Sequence, residues 1–109
     1  RARRVAEAFQ TDVTDRRPIS AWAQFAGSST RTLERLFRED TGMTFRVWQR
    51  QVRLLHALEV MAAGKNVTAA ALEVGFDTPS AFIAMFRRAM GVTPAKYFSH
   101  RKDTTEETE

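Results

Sequence analysis

Apolar residues recur at three- and four-residue spacing along most of the chain, and no segment alternates between apolar and polar positions as a half-buried strand does. This spacing is typical of amphipathic helices that each bury one face. Gly and Pro residues interrupt the pattern and divide it into about seven helical segments. The sequence therefore predicts an all-α protein.

The predicted helices follow a regular order along the chain. A long helix lies near the middle, and each of its flanks carries a short helix, a Gly turn and a second helix, which is the order of a helix-turn-helix unit. We expect an N-terminal helix and connector at 1–18, a first helix-turn-helix subdomain at 19–42, a linker helix at 44–63, a second subdomain at 66–91, a C-terminal helix at 93–100 and a disordered acidic tail at 101–109.

The two predicted subdomains repeat each other in sequence. Ser29, Leu33, Phe37, Gly42 and Thr44 recur 49 positions later as Thr78, Phe82, Phe86, Gly91 and Thr93. Ser and Thr favour the N-cap position, because their side-chain oxygens accept from free backbone N–H groups at a helix start. The residues that we expect to cap helices are Ser20, Ser29, Thr44, Thr68, Thr78 and Thr93.

The composition indicates a soluble globular domain. Apolar residues make up 43% of the chain and charged residues 28%, and no apolar run approaches the roughly 20 residues that cross a bilayer. No secretion signal is visible, so we expect a cytoplasmic protein with no membrane partner. Because the chain begins at Arg1 without Met, we expect it to be part of a longer protein.

Charge is unevenly distributed along the chain. All 17 Lys and Arg residues lie within residues 1–102, whereas four of the 13 Asp and Glu residues lie in the tail. Residues 1–102 therefore carry a formal charge of +8, against +4 for the whole chain. A field of this sign concentrates polyanions, so the charge favours nucleic acid as a partner.

Candidate catalytic and metal-binding residues are few. The chain has no Cys, which excludes disulfides, thiolate ligands and thiol nucleophiles. His56 and His100 have no second His at metal-ligand spacing, and Ser28 and Ser29 lack the glycine-flanked turn of a nucleophile elbow. We therefore expect no enzymatic activity, no metal and no cofactor.

Several short motifs follow one another in a fixed order from residue 19 to residue 98. They are Gly42-Met43-Thr44-Phe45, Arg53-Leu54, Ala57, Ala71, Gly75-Phe76, Thr78, Ser80, Phe82, Phe86, Gly91-Val92-Thr93-Pro94 and Tyr97. Together they strongly resemble the DNA-binding domain of the AraC/XylS transcription regulators. The resemblance implies two helix-turn-helix subdomains joined by one long helix, with recognition helices at about 29–41 and 78–90 in successive major grooves of double-stranded DNA.

The resemblance also implies the role of the chain in a larger protein. It would be the output domain of a transcriptional activator or repressor, and a further N-terminal domain would sense an effector or dimerise. The alternative that the residues leave open is a helical protein-interaction module, whose basic face meets an acidic partner or RNA polymerase.

Recognition helices read bases with outward side chains near their N-terminal ends. In the first recognition helix the expected base-reading residues are Thr30, Arg31, Glu34 and Arg35. The resemblance places Arg31 and Arg35 at base-reading positions, and a bidentate Arg–guanine contact is worth roughly 1 to 3 kcal/mol of discrimination. Glu34 has two interpretations: it accepts from a cytosine amine, or it pairs with Arg38 or Arg31.

The second recognition helix departs from the family pattern. Many relatives have Arg at the position of Ala84, so the expected base-facing set, Ser80, Ala81, Ile83 and Ala84, lacks a long hydrogen-bonding side chain. Ser80 is left for a base or a phosphate, and the others for thymine methyl groups. We expect the first subdomain to supply most hydrogen-bonded specificity and the second to anchor the protein and read shape.

Basic side chains outside the reading positions are candidates for phosphate contacts. Helix N-termini can also bind phosphate through free backbone amides, so the starts of the short helices are further candidates for phosphate contacts. The expected phosphate-binding residues are Ser20, Arg38, Arg46, Arg50, Thr68, Arg87 and Arg88. Arg53 is a further phosphate candidate, but the resemblance places it in a core-adjacent Arg-Leu pair, so we expect it to brace the two halves instead. Trp22 and Trp48 are expected to lie in the core.

Overall fold

The computed structural model describes residues 2–99, and within them the chain forms seven helices and no strand. This confirms the predicted all-α class. The helices are α1 (Ala2–Thr11), α2 (Ile19–Ala26), α3 (Thr30–Thr41), α4 (Phe45–Ala62), α5 (Val67–Glu73), α6 (Pro79–Met90) and α7 (94–99). The predicted disorder of residues 101–109 lies outside the described residues, as does His100.

The described residues form two compact units. Unit one runs to His56 and unit two begins at Ala57, so the division falls within α4. Unit one contains α1, α2, α3 and the first part of α4. Unit two contains the last part of α4 together with α5, α6 and α7.

An aromatic cluster fills the core of unit one. Phe9, Trp22, Phe37, Phe45 and Trp48 are all buried, and their neighbouring ring centroids lie 4.8 to 6.3 Å apart. Edge-on and tilted arrangements at these distances are favourable beyond the burial of apolar area. Both Trp residues are thus core residues, as the sequence predicted.

The core of unit two is built around α6. Phe82 and Phe86 are fully buried, and the rings of Phe76 and Tyr97 pack against them at 5.6 and 5.8 Å. On α5 the fully buried residues are small ones, such as Ala71, which lets α5 approach α6 closely. This packing fixes which face of α6 remains exposed.

Four of the predicted N-caps are confirmed. The hydroxyl oxygens of Ser29, Thr44, Thr78 and Thr93 each accept from the backbone N–H three residues later, at 3.1 to 3.2 Å. These contacts fix the starting points of α3, α4, α6 and α7, because they satisfy N–H groups that have no partner within the helix.

The predicted caps at Ser20 and Thr68 are wrong. Helix α2 already begins at Ile19 with Pro18 as its N-cap, and the Pro18 carbonyl accepts from the backbone N–H groups of two residues in the first turn. Helix α5 begins at Val67, because the side chain of Asn66 accepts from Ala69 N at 2.8 Å. Asn is at least as good an N-cap as Thr, and it lies two residues earlier.

Candidate nucleic-acid interface

A tight turn sets the direction of α3 relative to α2. Gly27 has a φ of +70°, and the N–H groups of Gly27 and Ser28 donate to carbonyls of the last turn of α2 at 3.1 and 2.9 Å. A left-handed residue at this place favours Gly, which has no Cβ. Ser29 then caps α3, so the two helices are joined by a short turn that is hydrogen-bonded at Gly27 and Ser28.

Helix α3 buries one face and exposes a basic one. Leu33 and Phe37 are 0% and 2% exposed and pack into unit one. Four of the residues predicted to lie outward are exposed: Thr30, Arg31, Arg35 and Arg38. Three guanidinium groups therefore lie on the solvent side of one helix, which suits contact with a polyanion.

Arg35 has an exposed partner on its own helix. Its Nη1 lies 3.3 Å from Glu39 Oε1, and the two side chains are 60% and 56% exposed. An exposed pair of this spacing contributes only about 0.3 to 0.5 kcal/mol. Arg35 can exchange Glu39 for another acceptor at little cost.

Glu34 contacts neither Arg38 nor Arg31, the two protein partners that its position suggested. It is half-buried, and its Oε1 accepts from the backbone N–H of Phe45, the first residue of α4, at 3.3 Å. The bond favours a role in orienting α3 against α4 within unit one. Base reading by Glu34 stays a prediction, and it would require this bond to break.

Helix α6 presents a different kind of face in unit two. Ser80, Ala81 and Ala84 are exposed and Ile83 is half-buried, so the first two turns carry short or apolar side chains. One turn later come exposed basic residues. An open depression of about 630 Å³ is lined by Ser80, Ile83, Ala84, Arg87, Arg88 and Thr93.

The residues predicted to bind phosphate are all exposed: Ser20, Arg38, Arg46, Arg50, Thr68, Arg87 and Arg88. Among residues 2–99 the structure shows no ion pair for the five Arg residues of this set. Ser20 and Thr68 occupy the second position of α2 and α5, not the cap. Their backbone amides lie in the first turn, where N–H groups lack partners within the helix.

Arg53 is an internal brace of unit one, although the sequence predicted a brace between the two halves. Its Nε donates to the carbonyl of Val13 at 2.9 Å, its Nη2 donates to the carbonyl of Asp15 at 3.2 Å, and its guanidinium lies 5.1 Å from the centroid of the Phe9 ring. Burial lowers the pKa of Arg53. All these partners belong to unit one, so Arg53 fastens α4 to the segment between α1 and α2.

A second contact orders the same connecting segment, and the sequence pattern gave no indication of it. Arg17 Nη2 donates to Asp15 Oδ2 at 2.7 Å, while the Arg17 guanidinium lies 4.2 Å from the centroid of the Trp22 ring. The hydrogen bond from Arg17 holds the pKa of Asp15 below its usual value. The polar character of residues 12–17 had indicated only a connector.

The described residues give no support for a metal site. Within residues 2–99 no group of three or more His, Asp or Glu side chains is arranged to hold an ion. In the same part of the chain, no helix combines the length and the apolar composition needed to cross a membrane.

Comparison with known proteins identifies the domain. A model of the helix-turn-helix domain family matches residues 22–100, which is most of the chain. The transcriptional regulator NimR of Escherichia coli (strain K12) is 38% identical over 81 residues, which are 74% of this chain and 30% of NimR. The chain thus spans less than a third of the length of that relative.

Solved structures agree with the family match. The DNA-binding domain of the transcriptional factor AdpA, solved in complex with a target DNA, superposes with a TM-score of 0.86 at 27% identity over 94% of each chain. An AraC-type regulator from Chromobacterium violaceum superposes with a TM-score of 0.79 at 22% identity, over 89% of this chain and 88% of the other, and shows the shared fold. The chain belongs to the AraC/XylS family of helix-turn-helix transcription regulators.

Proposed function

We propose that this chain binds double-stranded DNA sequence-specifically through α3 and α6, as the output domain of a transcription regulator. The observation that carries the proposal is the exposed basic face of α3, which follows a hydrogen-bonded Gly turn. Support also comes from AdpA, whose related domain was solved with its target DNA. The domain acts by binding and not by catalysis.

Helix α3 is the main reader of base edges in this proposal. Arg31 and Arg35 each present a guanidinium that can donate two hydrogen bonds to guanine O6 and N7. Thr30 is the first residue of the helix, where a side chain can reach a base or a phosphate. Arg38, one turn beyond Arg35, contacts the phosphate backbone.

Helix α6 anchors the second unit. Arg87 and Arg88 neutralise phosphates, and the short side chains before them read the shape and apolar surface of the groove. On α4, Arg46 and Arg50 add phosphate contacts beside α3. The free amides at Ser20 and Thr68 bind phosphates through the N-termini of α2 and α5.

We further propose that both units bind one duplex, with α3 and α6 in successive major grooves. The length of α4 supports this idea. Its 18 residues span about 27 Å, and equivalent major-groove positions are about 34 to 36 Å apart, so the helix is of the right order to connect two grooves.

The rest of the regulator is proposed from the length of the relatives. NimR is more than three times as long as the aligned segment. We propose that an N-terminal domain which senses an effector or dimerises completes this protein in the cytoplasm. RNA polymerase would then be a second partner at the promoter.

The test of DNA binding is an affinity titration against a site selected from random duplexes. For a DNA binder, log K falls with log salt concentration by about 0.9 for each phosphate contact, and a scrambled duplex binds much more weakly. An acidic polypeptide of equal charge serves as the control for a protein-interaction module. Equal affinity for selected and scrambled duplexes would refute the proposal.

A further inference from the structure

We propose that α6 recognises a thymine-rich half-site through the 5-methyl groups of its bases, with Ile83 and Ala84 as the specificity-determining residues. This inference rests on the DNA binding proposed above. It specifies which bases the second unit prefers in its half-site.

The first observation is what α6 lacks. Phe82 and Met85 are buried in unit two. Beyond Pro79, which begins the helix and has no hydrogen-bonding side chain, the side chains of the first two turns that reach the solvent are Ser80, Ala81, Ile83 and Ala84. Ser80 has a single short hydroxyl, and the other three cannot form hydrogen bonds. Bidentate contacts to guanine or adenine need Arg, Lys, Asn or Gln, so this helix has no such reader at its N-terminal end.

The second observation is the surface that these residues form. Ile83 and Ala84 line the open depression of about 630 Å³, and Arg87 and Arg88 line it one helical turn further on. Thr93, also in the lining, uses its hydroxyl oxygen to accept from Lys96 N at 3.2 Å. The depression therefore offers apolar side chains next to two exposed cations.

This combination matches one feature of duplex DNA. Thymine is the only standard base that presents an apolar group, its C5 methyl, in the major groove, and phosphates border the groove. Methyl groups would lie on Ile83 and Ala84 while Arg87 and Arg88 contact phosphates. Burying one methyl group is expected to strengthen binding about fourfold.

The two recognition helices then have complementary preferences. Arg31 and Arg35 are exposed on α3 and favour guanine, whereas α6 favours thymine. The selected DNA site should be asymmetric, with guanines concentrated in one half and thymines in the other.

The experiment first assigns the half-sites. Because the chain contains no Cys, an Ala89→Cys variant can carry a single iron chelate on α6, and its hydroxyl radicals cut the half-site bound by that helix. Each thymine of the selected duplex is then replaced by deoxyuridine, which removes only the methyl group. We expect about three- to fivefold weaker binding at one or more thymines in the α6 half-site, and no measurable change in the other half-site.

A variant of Ile83 links the methyl effect to this side chain. In Ile83→Ala, the deoxyuridine penalty at its thymine should disappear, because the side chain that contacts the methyl is gone. Leu72→Ala is the matched control, since Leu72 is an aliphatic residue of the same unit, lies on α5 and is 59% exposed. That control should keep the full penalty.

A second variant covers the case in which Ile83→Ala does not fold. Ala84→Arg adds a guanidinium on the exposed face, and sites selected with it should exchange a thymine for a guanine in the α6 half-site. The inference is overturned if deoxyuridine leaves binding unchanged throughout that half-site while the protein still prefers the selected duplex. If the unmodified chain showed no preference for any DNA sequence, that result would instead refute the proposed function.

Discussion

The carboxylate of Glu34 on α3 accepts a hydrogen bond from the backbone N–H of Phe45, the first residue of α4, at 3.3 Å. Thr44 caps the same helix start by accepting from Val47 N at 3.2 Å. Two N–H groups in the first turn of α4 are thus satisfied by side chains, and one of these side chains comes from α3. Glu34 thereby ties the orientation of α3 to the start of α4.

Replacing Glu34 tests this tie directly. Glu34→Ala should lower the free energy of unfolding by about 1 kcal/mol, because it removes a hydrogen bond and a negative charge at a helix N-terminus. Glu34→Gln keeps an acceptor oxygen and should lose less. Urea unfolding measures both effects.

The control for Glu34 is Glu39, which is also on α3 and pairs with exposed Arg35. Glu39→Ala should change the free energy of unfolding by less than about 0.5 kcal/mol. If Glu34→Gln changed the base that the protein prefers at one position of the DNA site, from cytosine to another base, Glu34 would be a base reader after all.

Arg53 should contribute more to stability than any exposed Arg of α4. Arg53→Ala leaves the carbonyls of Val13 and Asp15 without their charged donor, and we expect a loss of roughly 3 kcal/mol in the free energy of unfolding. Arg53→Lys keeps the charge but not the planar fork, so it should recover only part of the loss. Arg50→Ala, at an exposed position one turn earlier, should be nearly neutral.

The ion pair of Asp15 with Arg17 gives unit one a pH dependence in the acid range. A carboxyl whose pKa is lowered in the folded state stabilises the fold above its unfolded pKa, about 3.9, and this stabilisation is lost as the pH falls through the folded pKa. Asp15→Asn should therefore flatten the decline in unfolding free energy below about pH 5. Asp40→Asn, at an exposed position on α3, is the control, and an unchanged slope in Asp15→Asn would contradict this account.

Arg35 and Arg87 should affect DNA binding in different ways. Arg35→Ala should relax the preference at one base pair by roughly 5- to 150-fold while other positions keep theirs. Arg87→Ala should weaken all duplexes alike and make the slope of log K against log salt shallower by about 0.9. Affinities for a set of single-base variants at three salt concentrations distinguish the two effects, and the same result for both substitutions would contradict the assignment.

Features set by neighbouring residues were predictable from the sequence. The caps at Ser29 and Thr78 depend on a backbone N–H only three residues away, and the buried stripe of α3 follows from helical spacing. The caps at Ser20 and Thr68 were wrong for an equally local reason. In the case of Thr68, the better cap at Asn66 lies two residues earlier.

Features set by distant residues could not be predicted in the same way. The partners of Arg53 lie 38 and 40 positions away, and the partner of Glu34 lies 11 positions away. Periodicity shows which face a side chain occupies, but it does not show which backbone group of another helix or loop will lie beside that face. Helical spacing predicted the exposed, apolar face of α6. The depression on that face also needs Thr93, which lies beyond the end of the helix.

The affinity of the chain for a selected duplex with altered spacing tests most directly whether α3 and α6 bind two grooves of one duplex together. Inserting five base pairs between the half-sites rotates one of them by about half a turn of the double helix. We predict that binding then falls to the level of a single half-site, whereas substituting five base pairs without changing the spacing has little effect. Unchanged affinity after the insertion would contradict simultaneous binding by the two helices.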